Sequence, residues 1–235
     1  MSSHDATRAR FAATAERVAE HGARQVETVR EELTRLLAFR GDERVLDVGT
    51  GAGVLALAVA PLVREVLGVD VVPELLAAAR RDAPANATFV EGDAEKLPFE
   101  AGEFDLVACR RTLHHVRRPE LAIAELARVT TPGGRIVVND QIAPVDPLAA
   151  IELDRFERAR DPSHTRTLPD SDLRGLFDSN GLVLEHSESQ VHRRPLDYYL
   201  ELAGCAGDDR ERALSLAPSG RDAYEVEIAW YVLRR

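Results

Sequence analysis

The stretch Val45-Leu46-Asp47-Val48-Gly49-Thr50-Gly51-Ala52-Gly53 constrains the fold of this chain more than any other. A short apolar run leads into three alternating glycines, and a helix-forming run over residues 54–63 follows. Strand, glycine turn and helix start, in that order, form the carboxyl edge of a parallel sheet, where nucleotide-like ligands sit. Glycine permits positive φ there and leaves no Cβ between backbone and ligand. A dinucleotide fingerprint, Gly-x-Gly-x-x-Gly, would need its third glycine where this chain has Val54, and a frame begun at Gly51 places Ala56 there. Asp47 adds a carboxylate ahead of the turn. A carboxylate suits a ligand presenting a cation better than one presenting phosphates.

Further carboxylates follow at matching points. Residues 65–70 read as a second buried strand ending in Asp70 and followed by Val71. An acidic residue about 20 positions beyond the glycines is where a ribose hydroxyl pair is held. Pro73 suits the first turn of a helix over residues 74–81. Residues 88–93 read as a third strand ending in Asp93, with Ala94, Leu97, Pro98 and Phe99 after it. Asp70 or Asp93 alone would equally serve as a helix cap or turn residue; together with Asp47 they favour a ligand cradle. A fourth strand over 104–109 leads into Arg110-Arg111-Thr112-Leu113-His114-His115-Val116. A helix over 119–129 and a Pro-Gly-Gly turn at 132–134 then feed a fifth strand reaching Asp140 and Gln141.

The Asp-x-Gly-x-Gly-x-Gly pattern at 47–53 resembles the first motif of class I S-adenosylmethionine-dependent methyltransferases. The series Phe104-Asp105-Leu106-Val107, Leu113-His114-His115-Val116 and Pro132-Gly133-Gly134-Arg135-Ile136-Val137-Val138 is similar to the small-molecule branch typified by ubiquinone/menaquinone biosynthesis. The resemblance covers residues 40–140. It implies an α/β fold: a Rossmann-like, doubly wound, seven-stranded sheet, mostly parallel with an antiparallel last strand, carrying helical N-terminal and lid additions. It implies S-adenosyl-L-methionine as cofactor and S-adenosyl-L-homocysteine as product. Asp47, Gly49, Thr50, Gly51 and Gly53 would surround the methionine end, Asp70 and Val71 the ribose, and Asp93 with Ala94 the adenine, and Arg110 joins this cofactor set. The N-terminal helix departs from the pattern. Relatives often carry Phe, Ala and Tyr where this chain has Phe11, Ala15 and Val18. The missing hydroxyl leaves the role of that helix open.

Bulk properties agree with one enzyme domain spanning residues 1–235. Its expected parts are an N-terminal helical lid (1–40), a cofactor-binding core (41–140), and a lid helix, last strands and acceptor side (141–235). The helical N-terminus spans 5–38, with a break at His21-Gly22. Residues 146–160 read as an added helix capped by Asp146, with Pro147 in its first turn. The last strands are expected at 182–187 and 224–233, with a helix over 196–216 between them. The net charge of −10 argues against nonspecific nucleic-acid binding. No apolar run reaches membrane-spanning length, and the polar start Ser2-Ser3-His4-Asp5 lacks a signal-peptide pattern, so a cytoplasmic location is expected. Cys109 and Cys205 indicate neither a disulfide framework nor a metal site. The expected partner is a small-molecule acceptor, and a homodimer stays open.

The acceptor end rests on individual side chains. Methyl transfer is an in-line displacement in which much of the catalysis is positioning; a general base is needed only for a nucleophile that arrives protonated. His114 and His115 follow the fourth strand and are candidate bases, or else pack and cap the loop. A metal at this pair would need a third ligand, and none is evident, so no metal is expected. Asp140 either orients or deprotonates the acceptor, or caps its turn. His164 and Arg166, in the segment Asp161-Pro162-Ser163-His164-Thr165-Arg166, either face the acceptor or lie in a capped loop before Asp170. Phe11, Tyr198, Tyr199 and Phe156 are candidates to line an apolar acceptor pocket, with core packing the alternative. Three readings remain: methyl transfer to an aromatic or polyketide-like metabolite; the same fold turned to cyclisation, decarboxylation or binding; and a nicotinamide-dependent oxidoreductase, disfavoured by Asp47 and Val54.

Overall fold

The computed structural model describes residues 3–218 and 222–235, with the backbone alone for residues 3–5. Met1 and Ser2, the start of the expected lid, lie outside the described residues. The strands are β1 (Arg44–Val48), β2 (Glu65–Asp70), β3 (Ala87–Glu91), β4 (Phe104–Arg110), β5 (Thr130–Ile142), β6 (Val183–Pro195) and β7 (Ala223–Arg234). They form one sheet in the order β3-β2-β1-β4-β5-β7-β6. Pairing is parallel from β3 across to β5, whereas β7 runs antiparallel to both β5 and β6. The chain winds outward from β1 to β3 and then crosses to β4 on the other side of β1. Loops leaving β1 and β4 therefore diverge and open a crevice at the carboxyl ends of the strands.

The helices are α1 (Ser3–Ala23), α2 (Val26–Leu36), α3 (Val54–Val59), α4 (Pro73–Arg81), α5 (Pro119–Val129), α6 (Pro147–Arg160), α7 (Asp170–Ser179), α8 (Leu196–Leu202) and α9 (Gly207–Leu216). Because the parallel strands are covered on both faces, they read as continuous apolar runs. Alternate residues still part cleanly. Leu46, Val48, Val107 and Val138 pack with Ile123 and Leu126 of α5 and Phe177 of α7. Val45, Leu106, Ala108 and Val137 pack with Leu33 of α2, Val59 of α3 and Leu76 of α4. A separate cluster joins Phe156 of α6 to Leu196, Leu200 and Tyr224. Among the described residues, no helix is long and apolar enough to cross a membrane.

Several elements differ from the sequence expectation for local reasons. The helix expected over 54–63 ends at Val59 and passes into a 3₁₀ turn, Ala60–Leu62, because Pro61 has no N–H for the α ladder. The helix expected over 196–216 is two helices. Gly204, at φ +72°, ends the first as a left-handed cap, and the Cys205 N–H closes onto the Leu200 carbonyl. α7 follows the expected loop before Asp170; its exposed polar side chains mask the i, i+4 pair Leu173 and Phe177 that buries it. β6 runs well past residue 187, and as an edge strand it is mostly exposed, which removes the apolar signal. β3 ends at Glu91, and Asp93 lies in the following turn, bridged to Lys96.

Candidate functional site

A cavity of about 260 Å³ lies over the carboxyl ends of β1 to β4, roofed by α1. Its floor is the glycine turn. Gly49 has φ +68°, and a Cβ there would stand 2.3 Å from Thr112, so only glycine lets the two loops meet. Asp47 is buried and its Oδ2 accepts from the Thr50 hydroxyl at 2.6 Å and the Ala56 N–H at 3.1 Å. Burial pushes its carboxyl up to about 6 against those hydrogen bonds. Asp70 accepts from the Gly51 N–H at 2.7 Å and the Val72 N–H at 3.0 Å, and burial raises its pKa despite them. Both carboxylates thus brace the turn while lining the cavity. Asp93 accepts from the Glu95 N–H at 2.8 Å and lines the same wall with Val71 and Ala94. Gly53 does not line it. At φ +86° it caps α3, and its Cα packs against Ala79 and Phe89. Leu97 is likewise in the core. Arg110 lines the cavity and donates to Gln25 Oε1 at 2.6 Å; burial lowers its pKa to about 10.

The opposite wall is the turn after β4. His114 Nδ1 stands 2.5 Å from Asp140 Oδ1, and Asp140 Oδ2 accepts from the Thr112 and Leu113 N–H groups. A fourth donor, the Gln141 N–H, completes the set at 2.8 Å. Burial alone would raise the Asp140 pKa, but His114 and the backbone donors bring it down to about 2. Asp140 does not line the cavity, so its expected role in deprotonating an acceptor is corrected: its oxygens are committed to His114 and the loop backbone. His115 lines the cavity, meets the Phe11 ring edge-on at 5.1 Å, and shares a 3.0 Å hydrogen bond with Ser163 Oγ. Burial, with His114 beside it, pushes the His115 pKa down to about 3.

This geometry can be set beside known proteins. Residues 46–138 match the methyltransferase domain family. The chain is 35% identical over 182 residues to the Bacillus subtilis uncharacterized methyltransferase YcgJ, covering 75% of this chain and 71% of that one. The chain belongs to the S-adenosylmethionine-dependent methyltransferases. The crystal structure of YcgJ superposes on this methyltransferase with a TM-score of 0.80, at 26% identity, covering 88% of this chain and 97% of that one. The demethylmenaquinone methyltransferase of Clavibacter sepedonicus is 29% identical over 204 residues, 81% of this chain and 80% of its own. The [4+2]-cyclase SpnF, at 20% identity and a TM-score of 0.68 over 89% of this chain and 80% of that one, shares the fold.

S-adenosylmethionine is the cofactor of this methyltransferase, and the walls fit it. The lining drawn from residues 47–94 carries Asp47, Asp70 and Asp93 and no basic side chain. Such a wall accepts ammonium, sulfonium and hydroxyl groups and repels a pyrophosphate. Among the described residues, no group of three or more His, Cys, Asp or Glu side chains is arranged to hold a metal ion.

On the acceptor side the expected residues divide. Phe11 and Tyr199 line the cavity. Tyr198 stands outside it, 37% exposed, with its hydroxyl 2.7 Å from His21 Nδ1. Phe156 is fully buried against Tyr224 and is core. His164 and Arg166 do not reach the cavity: His164 is buried with Nε2 on Asp154 at 2.9 Å, and Arg166 is exposed. Their segment instead buttresses the histidines from behind. The Thr165 N–H and hydroxyl both donate to the His114 carbonyl at 2.8 Å, and Ser163 holds His115. Sequence reasoning passed over Arg10, His21, Gln25, Arg111, Arg160, Asp161 and Arg194, all of which line the cavity. They come from α1, the turn before α2, the β4 turn, the end of α6 and β6, and no spacing in sequence joins them.

Proposed function

We propose that the chain methylates a small aromatic or polyketide-like metabolite, with His114 as the base that takes the acceptor's proton. The observation that carries this reading is the 2.5 Å contact between His114 Nδ1 and Asp140 Oδ1 at the cavity wall. A carboxylate on Nδ1 fixes that nitrogen as the donor, so Nε2 is left as the basic nitrogen. Asp140 is the positioning residue: with its other oxygen on the Thr112 and Leu113 N–H groups, it locks the imidazole to the β4 turn. His115, kept neutral by burial, offers its ring with Phe11, Val18 and Tyr199 as the apolar surface for an acceptor ring.

When bound, S-adenosylmethionine supplies an electrophilic methyl group on a sulfonium and leaves as S-adenosylhomocysteine. Asp47, Gly49, Thr50 and Gly51 would hold its methionine end, Asp70 with Val71 its ribose, Asp93 with Ala94 its adenine, and Arg110 is the cation available for its carboxylate. Within one domain, the N-terminal helical residues from 3 to 40 and α6, the added helix after β5, would act as lids. Arg10 of α1 pairs with Asp161 at the end of α6 at 2.7 Å, which ties these two elements together beside the cavity that both line. Incubation with methyl-labelled cofactor and fractionated small-molecule extract tests the proposal. Label should appear in a low-mass aromatic product. Cofactor binding without label transfer to any fraction would refute methylation and favour a non-methylating use of the pocket.

A further inference from the structure

Arginines from outside the acidic wall of residues 47–94 crowd the cavity. Arg10, Arg111, Arg160 and Arg194 all line it. Two of them are matched by carboxylates: Arg10 by Asp161 at 2.7 Å, and Arg160 by Glu157 across α6. Arg194 is different. It is 4% exposed, its guanidinium lies 4.9 Å from the Tyr199 ring centroid, and its contact with Glu157 is 3.7 Å, beyond a hydrogen bond. Nη1 meets only the neutral oxygens of Gln141 and Tyr224, each at 3.3 Å, and Nε is buried without a partner.

Arg111 has less still. No side-chain acceptor or carboxylate meets its guanidinium among the described residues, and its Nε is buried and unpartnered. Its backbone is committed all the same: φ is +55°, and the N–H donates to the Asn139 carbonyl at 2.7 Å. Arg110 and Arg111 also bound a second cavity, of about 100 Å³, but Arg194 and Tyr199 line only the larger one. The positive field is felt on both sides. Burial first, and then Arg111, lower the pKa of both His21 and His192, with Arg110, Arg24 and lastly Arg194 adding at His21 and Arg194 at His192. Burial and the neighbouring arginines bring Arg111 itself down to about 9. A desolvated guanidinium with no hydrogen-bonded carboxylate is costly to keep. Arg111 has none, Arg194 has only the longer contact with Glu157, and the planar forks of both match oxyanions.

The geometry points to an oxyanion subsite: Arg111 and Arg194 bind a carboxylate or phosphate group carried by the methyl acceptor, at the Tyr199 end of the cavity. This selects an acidic acceptor and anchors it away from the reacting atom. The inference rests on the methyltransferase reading of the cavity. It assigns Arg111 and Arg194 to the acceptor and leaves Arg110, held by Gln25, to the cofactor.

Calorimetry on protein saturated with S-adenosylhomocysteine tests it, using benzoate, phenyl phosphate and the neutral isostere benzamide as probes. One anion should bind at least about tenfold more tightly than benzamide, as loss of one charged hydrogen-bond pair implies; which anion wins separates carboxylate from phosphate. Arg111→Gln should abolish that preference, and Arg111→Lys should restore part of it. Affinity for S-adenosylhomocysteine should stay unchanged in both variants. Arg194→Gln, which also touches Gln141 and Tyr224, serves as a second variant once its melting curve shows it folded. Benzamide binding as well as the anions, or no anion binding at all, overturns the subsite. So does a Arg111→Gln loss in S-adenosylhomocysteine affinity as large as its loss in anion affinity, since the arginines would then serve the cofactor. Failure of the methyltransferase reading would show separately, as failure of S-adenosylhomocysteine to bind the unaltered protein.

Discussion

The two halves of the cavity are built in opposite ways. The cofactor half is made of consecutive strand ends: Asp47 and the glycines after β1, Asp70 after β2, Asp93 after β3. It is acidic, and its side chains spend their oxygens on nearby backbone N–H groups. The proposed acceptor half gathers Phe11, Arg111, His115, Asp161, Arg194 and Tyr199, all lining the cavity, from elements scattered over the chain. It is rich in arginine and held by contacts between side chains, such as Arg10 with Asp161 and Ser163 with His115. A site fixed by backbone geometry can change little without loss of the turn. A site assembled from side chains on lids and loops can be retuned for another acceptor while the cofactor cradle stays intact.

The largest expected effect separates the halves by function. His114→Ala removes the proposed base and should lower kcat by about 10²- to 10⁴-fold, the usual contribution of general acid–base catalysis, while affinity for S-adenosylhomocysteine is unchanged. Asp140→Asn should follow it in direction and shift the pH profile of kcat, because an amide no longer stabilises the imidazolium. A drop in cofactor affinity equal to the drop in turnover would make His114 a structural part of the cradle and blur the comparison.

Gly49→Ala attacks the other half. The added Cβ would lie 2.3 Å from Thr112 at a φ of +68°. Overpacking and backbone strain together cost about 2–6 kcal/mol. Calorimetry should find cofactor binding severely weakened, with a lowered melting temperature. Gly51→Ala is the control: its φ is also positive, but the nearest atom to a Cβ is 3.9 Å away, so its loss should be visibly smaller. Equal losses would mean that conformation alone, and not the approach of Thr112, sets the glycine requirement. Next in size, Asp70→Ala should weaken cofactor binding by about 1.5–3 kcal/mol, the worth of hydrogen bonds to a charged group. Unchanged affinity by calorimetry would remove the ribose role and leave Asp70 a brace for Gly51 and Val72 alone.

What could be read from the sequence follows the same division. The β1 turn, the strand-ending Asp70 and the fourth strand over 104–109 were legible because a parallel sheet writes its strands as apolar runs, the first two ending in glycine and carboxylate. Gly53 was assigned to the ligand when it serves α3, since a motif lists glycines without saying which face each one meets. Phe156 and Tyr198 were drawn to the pocket by residue type, yet Phe156 of α6 packs into the core against Tyr224, and α8 turns Tyr199 and Leu202, not Tyr198, to the cavity. Arg111 and Arg194 had no signal. One lies beside a motif and the other on an edge strand, and what sets them apart is a buried guanidinium with no hydrogen-bonded carboxylate, which only the fold reveals.

The smallest effect bears on how the acceptor half is held together. Burial, followed by His114, places the His115 pKa at about 3 against an ordinary 6.5. The folded protein therefore refuses a proton that the unfolded chain accepts. The stability this contributes is complete above pH 6.5 and is lost as the pH falls from there towards 3. Below the unfolded pKa, one such group gives a slope of about 1.4 kcal/mol per pH unit. His21 and His192 are shifted in the same direction and add to it. The raised carboxylates Asp47, at about 6, and Asp70 oppose it, because the folded state takes their proton first as the pH falls. The depressed carboxylates, Asp140 and Asp161 among them, enter only at lower pH. On going from pH 7 to pH 5 the urea midpoint of the native protein should thus drop relative to that of His115→Asn, which keeps a side-chain oxygen or amide for Ser163 and shares the Asp47 contribution. Parallel slopes would show that His115 takes its proton in the folded state, and that the acceptor wall is wetter than its packing against Phe11 implies.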